Sequence, residues 1–312
     1  MSLTESKLAE IEARLHPLLE REKRAREIRQ LVPPSRFFMG LTGIAYRGEP
    51  FDILPGFLTL RSVTNPPGMV HVCRAADLHR TDYLAIARYS LGVSAELAVG
   101  NSDCEGHSEP DFLHNIAWHT AALLKLRGHD LLSCPASSTA SWDTVAAIDN
   151  QSVHFRVLDD VPRQVALIVG ESTVTTADLT WVRDNWDSAL RLRDASSSRR
   201  FGLAFNIAYT WNHTQEVRIA IGNLWCGLDA LFGLQTDRPV TQKLVERIAA
   251  WLSDSSEEQI HDLYDHRCDA IHGRWMKDDE LGMVLRGTKS LLFRSLVRCI
   301  EEGAITLPDW GS

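Results

Sequence analysis

Hydrophobic and polar residues follow two different rhythms along this chain, and the change comes close to residue 174. In residues 3–31, Leu8, Ile11, Leu15, Leu18 and Leu19 recur at helical spacing among Glu, Lys and Arg. This predicts a helix with one packing stripe, kinked or split at Pro17 and closed by Pro33-Pro34. Short apolar runs follow at Phe37–Ile44, Gly56–Val63 and Met69–Val72, separated by Gly, Pro and Asn, and they read as strands joined by turns. Leu78–Leu91 fits a helix. Asp111–Leu126 is a firmer one, with Phe112, Ile116, Leu123 and Leu124 aligned and Gly128 as a stop signal. Val153–Leu158 and Gln164–Val169 read as two more strands. Residues 32–173 are therefore expected to form a mixed α/β domain, with no internal repeat.

From Thr175 the period becomes helical throughout. Thr176–Leu192 carries Leu179, Val182, Trp186 and Leu190 on one stripe, and the Ser-rich stretch after Asp194 reads as a loop. Phe201–Phe232 fits one long helix or two. Thr241–Leu252, Glu257–His272 and Asp279–Glu301 follow. Four to five helices with short connections and no strand signal describe an all-α bundle over residues 174–303, with 304–312 as a tail. The fold class expected is α+β, with the boundary near Ser172–Val174. A bundle with its own apolar faces is expected to fold as a separate fragment.

Composition narrows the function classes. The 312 residues are 44% hydrophobic and 24% charged, the balance of a globular protein. A net charge of -8 argues against broad coating of nucleic acid, although one local basic cleft remains compatible with it. Cys73, Cys104, Cys134, Cys226, Cys268 and Cys299 form no Cys-x-x-Cys pair, which disfavours a zinc ribbon or a thioredoxin-type site and fits a reducing cytoplasm. Residues 1–30 are charged throughout and do not read as a signal peptide. No run approaches the roughly 18 apolar residues of a membrane span.

The chemistry concentrates in Leu263-Tyr-Asp-His-Arg-Cys-Asp-Ala-Ile-His-Gly273. Its helix has an apolar stripe of Ile260, Leu263, Tyr264 and Ile271, and Arg267 falls inside it, seven residues after Ile260 and four before Ile271. A guanidinium there needs an anion or an interface, because burying it unpaired is costly. Upstream, Leu224-Trp-Cys-Gly-Leu-Asp-Ala-Leu-Phe-Gly233 is an apolar helix with one embedded acid, Asp229, the candidate partner for Arg267. His272 lies five residues after Arg267, about 140° around the helix, so the two side chains diverge. Gly273 sits where a left-handed cap belongs.

Together these segments resemble the HEPN domain family, particularly its Apea-like branch, over residues 176–303. There a Tyr precedes the Arg of an Arg-x-x-x-x-His motif and a Gly follows the His. The branch usually has Glu where this chain has Asp229, and a polar residue where it has Cys268. The resemblance implies a metal-independent endoribonuclease with no cofactor, acting on RNA as a homodimer through the C-terminal domain. Paired motifs from two protomers would form one cleft. His272 would be general acid or base. Arg267 would stabilise the charged transition state through its donor fork. Asp229 would orient Arg267, and Tyr264 and Arg274 would be substrate contacts. The alternative is a non-catalytic dimerisation module or a nucleic-acid- or nucleotide-binding one. The N-terminal domain would sense a trigger or select substrate.

Other residues carry weaker signals. Arg74 and His79 repeat the Arg-x-x-x-x-His spacing without its context. His114 and His119 are five apart and share no helical face, so they read as core or surface residues rather than a zinc pair. Asp103, Glu105 and Glu109 fit a solvated turn. Arg191, Arg193, Arg199 and Arg200 flank the Ser-rich loop, either as an RNA-backbone contact or as a solvated helix end.

Overall fold

Every residue of the segment Phe37–Leu41 is buried, and its sequence has no polar side chain to present to water. Such a strand belongs in the middle of a sheet covered on both faces. The computed structural model describes residues 37–76, 92–100, 110–148, 152–158, 172–195, 199–233 and 240–304, and it places the segment there. In chain order the strands are β1 (Phe37–Leu41), β2 (Ile44–Ala45), β3 (Phe51–Leu54), β4 (Leu58–Ser62), β5 (Ala95–Val99), β6 (Ala136–Ser138), β7 (Phe155–Val157) and β8 (Ser172–Thr173). Six of them form one sheet of order β3-β4-β5-β1-β6-β7, antiparallel at every pairing. β2 and β8 pair separately, in parallel. The fold is α+β, with an antiparallel sheet.

Side-chain alternation divides the sheet into two faces. Phe37, Met39 and Leu41 join Leu58, Leu60, Leu97 and Val99 under helix α2 (Pro110–Leu126). On the other face Phe38 joins Val63, Val72, Trp142 and Phe155 in a smaller core, roofed by α1 (Met69–Ala75) and the 3-10 turn Val145–Ala147. Gly40 lets the Trp142 ring approach, since a Cβ there would lie 2.9 Å from its Cε2. The Trp142 amide and the Ser141 hydroxyl donate to the Glu96 carboxylate at 2.7 and 2.8 Å. Burial pushes the Glu96 carboxyl up, against the pull of those two bonds and of Arg61.

The bundle comprises α3 (Thr176–Asp194), α4 (Arg199–Thr210), α5 (Val217–Phe232), α6 (Val240–Trp251), α7 (Glu257–Ile271) and α8 (Asp278–Glu302). That is six helices rather than four to five, because Phe201–Phe232 divides around Trp211–Glu216. α8 runs through the middle and meets each of the other five. Met69–Val72 is the start of a helix rather than a strand. Its four residues are too short to show a period, and His71 Nδ1 turns back to accept from the Gly68 amide at 3.1 Å. The expected helices at 3–31 and Leu78–Leu91, and the strand at Gln164–Val169, lie outside the described residues. Among the described residues no helix is long and apolar enough to cross a membrane.

Thr175 caps α3 by accepting from the Asp178 amide at 3.2 Å, so the change to all-helical structure falls where the sequence pattern changes. The apolar core does not divide there. From His119 to Leu126 every residue of α2 is buried. α2 packs on β1 and β5 with one side and on α3 and α4 with the other, and one apolar cluster includes residues of both regions.

A fragment starting at Ser172 would strip α2 from Trp186, Phe205 and Tyr209, which touch His119 and Trp118. Each large side chain re-exposed costs about 1.5–3 kcal/mol, so three approach the whole stability of a typical domain. Contrary to the sequence-based expectation, that fragment should melt without a cooperative transition in circular dichroism. A sigmoidal melt would show that the bundle's own faces suffice.

His119 provides a pH test of the same junction. Its Nε2 lies 3.2 Å from the Trp186 carbonyl, so it carries the proton, and Nδ1 accepts from Arg193 at 3.3 Å. Burial, and then the Arg193 charge, push its pKa down to about 4. The unfolded chain therefore takes up a proton near pH 6.5 that the folded chain refuses until about pH 4. The stabilisation is complete above pH 6.5 and is lost as pH falls towards 4. Denaturant titrations should show about 2 kcal/mol less stability at pH 5 than at pH 7 from this residue. His119→Gln should flatten that part of the slope.

Candidate active site

Helix α7 begins with a capping box. Ser256 Oγ accepts from the Gln259 amide at 3.2 Å, and Gln259 Oε1 accepts from the Ser256 amide at 3.3 Å. Glu257 and Glu258 then face the positive end of the helix dipole. The helix is continuous to Ile271, so the roughly 140° between Arg267 and His272 is retained. His272 is the C-cap and is exposed. Gly273 takes φ +72°, a conformation that costs Gly nothing. Its amide donates to the Ala270 carbonyl at 3.3 Å and the Arg274 amide to the Asp269 carbonyl at 3.0 Å, the paired bonds of a Schellman turn.

A second device fixes the same turn. Arg218, on α5, donates from Nη1 to the Ala270 carbonyl at 2.7 Å and from Nη2 to the Arg274 carbonyl at 2.9 Å. One guanidinium thus ties the Ala270 carbonyl to that of Arg274 just beyond the helix and places positive charge at the negative end of the dipole. Arg274 pairs with Asp269 at 2.6 Å. Met276 is buried and anchors the connection to α8, while Trp275, one residue before it, is 80% exposed.

Arg267 is half-buried. Its guanidinium lies 5.1 Å from the centroid of the Tyr264 ring, and Tyr264 meets Trp225 edge-on at 5.2 Å. Its buried Nε has no hydrogen-bond partner, and its Nη1 reaches only Cys268 Sγ at 3.9 Å. Among the described residues no carboxylate pairs with it.

The expected Arg267–Asp229 pair is therefore not made. α5 and α7 run antiparallel. Arg218 meets Ala270, Ile271 Cδ1 lies 3.5 Å from where a Gly222 side chain would begin, and Trp225 meets Tyr264. From that last contact Asp229 lies four residues along α5, towards the start of α7, while Arg267 lies three residues along α7 in the other direction. At 1.5 Å per residue they are about 10 Å apart along the axes. Asp229 is exposed.

The remaining candidates separate clearly. Arg74 sits in the last turn of α1, and His79 lies outside the described residues, as do Asp103, Glu105 and Glu109. His119 is a core residue. Arg193 is occupied by Asp194 at 2.7 Å and by His119, so it is no free RNA contact. Among the described residues no three His, Cys, Asp or Glu side chains gather as a metal-ligand set. Sequence reasoning missed Arg218 and Trp275. Nothing local marks Arg218, because its role depends on which helix end lies beside it. Trp275 carried a signal, since it is an aromatic in a short polar connection directly after the motif. No protein-family profile, curated protein or solved structure matches this chain.

The Arg218 bonds join a charged donor to backbone acceptors, a type worth about 1.5–3 kcal/mol when lost. Arg218→Ala should lower stability by about that amount and loosen the turn bearing His272. Amide exchange at Gly273 and Arg274 should speed up more than exchange in α8. Equal acceleration throughout the bundle would show that Arg218 acts on global stability alone.

Proposed function

We propose that this protein is a metal-independent endoribonuclease of the kind its resemblance to HEPN domains implies, acting as a homodimer. The observation that carries the reading is Arg267, a half-buried guanidinium with no carboxylate partner among the described residues, one short helix end away from the exposed His272. A half-buried cation with an unsatisfied Nε favours an anion, and a phosphodiester supplies one. The ribose 2′-hydroxyl attacks the adjacent phosphorus, forming the O2′–P bond and breaking the P–O5′ bond. His272 takes the 2′ proton while solvent water protonates the leaving 5′ oxygen, or protonates that oxygen while water takes the 2′ proton. Arg267 offers its fork to the phosphorane oxygens. The nucleophile belongs to the substrate, so no metal is needed to generate one.

A single chain points Arg267 and His272 in different directions, which is why a second protomer enters the reading. Ile219 on α5 and Ile271 at the end of α7 are both exposed, which offers a two-fold contact apolar side chains near the motif. The second reading is a non-catalytic binding module. The absence of Asp229 from the Arg267 environment favours it, because among the described residues nothing acidic orients the guanidinium.

Purified protein should cleave single-stranded RNA in excess EDTA and leave a 2′,3′-cyclic phosphate or its opened product. His272→Ala should reduce the rate about a hundredfold to ten-thousandfold. Arg267→Lys should fail comparably, since an ammonium cannot reproduce the fork, and a thermal melt of each variant separates chemistry from folding. Arg74→Ala should cleave as the wild type does. Wild-type protein that binds RNA and never cuts it would establish the binding-module reading. A strict monomer by light scattering at tens of micromolar would sink the two-protomer cleft.

A further inference from the structure

Trp275 is the most exposed of the described large apolar side chains at 80%, whereas the other described tryptophans are buried or half-buried. An indole buries about 150–250 Å² when it finds a partner, so leaving one in water forgoes a large apolar gain. Its backbone is nevertheless fixed. The Schellman turn and Arg218 hold Ala270 to Arg274 on one side, and buried Met276 holds the other. Trp275 is thus a rigidly mounted, unpartnered ring rather than a residue on a loose loop. It follows His272 by three residues, which span at most about 10 Å of extended chain.

We infer that Trp275 is a stacking platform for one unpaired nucleobase of the RNA strand, which it holds so that the adjoining phosphate lies at His272. This rests on the ribonuclease reading above and names the element of the site that selects single-stranded over paired substrate. Local charge favours a nucleotide over an apolar protein surface. Arg274, paired with Asp269 but with 73% of its side chain exposed, precedes Trp275 on the His272 side, and Arg218 binds the Arg274 carbonyl. Asp278, Asp279 and Glu280 open α8 on the other side. The strand's phosphates therefore run past Arg274 and His272 and away from the start of α8, while the base covers the indole. Stacking is indifferent to base identity, because every base has a π-face, and it requires that the base be unpaired.

The experiment measures binding without cleavage. A fluorescently labelled decamer of all-2′-O-methyl RNA has no free 2′ nucleophile, and its fluorescence anisotropy is titrated with the full-length protein. Trp275→Ala should weaken binding about ten- to a hundredfold, and Trp275→Phe should retain most of it. Wild-type protein should bind the same decamer less well when it is annealed to its complement. Arg74→Ala, in the last turn of α1 and outside the motif, should bind the decamer as wild type does, and because the decamer cannot be cleaved the readout is separate from catalysis. If Trp275→Ala binds unchanged, the platform is overturned whether or not the protein cleaves RNA. If Trp275→Ala instead changes the oligomeric state by light scattering and leaves the affinity of the resulting species intact, the ring is a protomer contact and the inference is wrong. If wild-type protein binds no strand, this inference and the function it rests on both fall.

Discussion

The structure depends on a helix that is buried on two sides. From His119 to Leu126, α2 presents nothing to water, so its polar side chains must each find a partner inside the protein. They find them on specific neighbours. Thr120 Oγ1 donates to the Ile116 carbonyl at 3.0 Å and accepts from Trp186 Nε1 at 2.9 Å. Lys125 Nζ donates to the Tyr209 carbonyl at 2.6 Å and to Asn212 Oδ1 at 3.0 Å. His119 takes the Trp186 carbonyl. Apolar contact alone would let α3 and α4 slide along α2. These bonds set the register, because a slip of one residue would leave buried donors unsatisfied at a cost of about 1–3 kcal/mol each.

That register is carried onward to the candidate site. With α4 placed by Lys125, its junction with α5 is fixed by Asn212, which also donates to the Asp130 carbonyl at 2.9 Å. α5 then supplies Arg218 to the end of α7, and the central α8 backs both. Close approach is built in here, since a Cβ at Gly287 of α8 would lie 2.8 Å from Leu263 of α7, and one at Gly227 of α5 would lie 2.8 Å from Leu292 of α8. The turn that exposes His272 and Trp275 is thus the end of a rigid chain of contacts that begins at the sheet.

Legibility in the sequence followed the range of the interactions. The long helices were readable because their stripes repeat over three or more turns, as with Leu179, Val182 and Trp186 in α3. The Gly273 cap was readable because a left-handed position after a helix calls for glycine. β5 and β6 escaped because Ala95–Val99 and Ala136–Ser138 are short and rich in small residues, with little alternation to detect. Met69–Val72 was misread because a buried four-residue run fits either element. The Asp229 pairing failed for a different reason. An acid on the neighbouring helix is a candidate only if the helices are in register, and the register is set by Trp225–Tyr264 and Gly222–Ile271 contacts that no local pattern encodes. Arg218 was invisible for the same cause.

The environment of Arg267 is what remains once that pair is removed. A guanidinium half-withdrawn from water, with a buried Nε that donates to no atom of the described residues, lies against an aromatic face and a thiol. A cation over a ring recovers about 0.5–2 kcal/mol, and a sulfur at 3.9 Å adds little. Neither restores the hydrogen bonds that the withdrawn part of the guanidinium would make in water. If Arg267 served only the packing of α7, a Leu or Met on the same stripe would do so without that loss. On the proposed reading, the arginine is placed to take an anion from outside the chain. The side chain that would meet the anion lies over the ring of Tyr264, which is itself held edge-on against Trp225, so less conformational freedom is lost on binding.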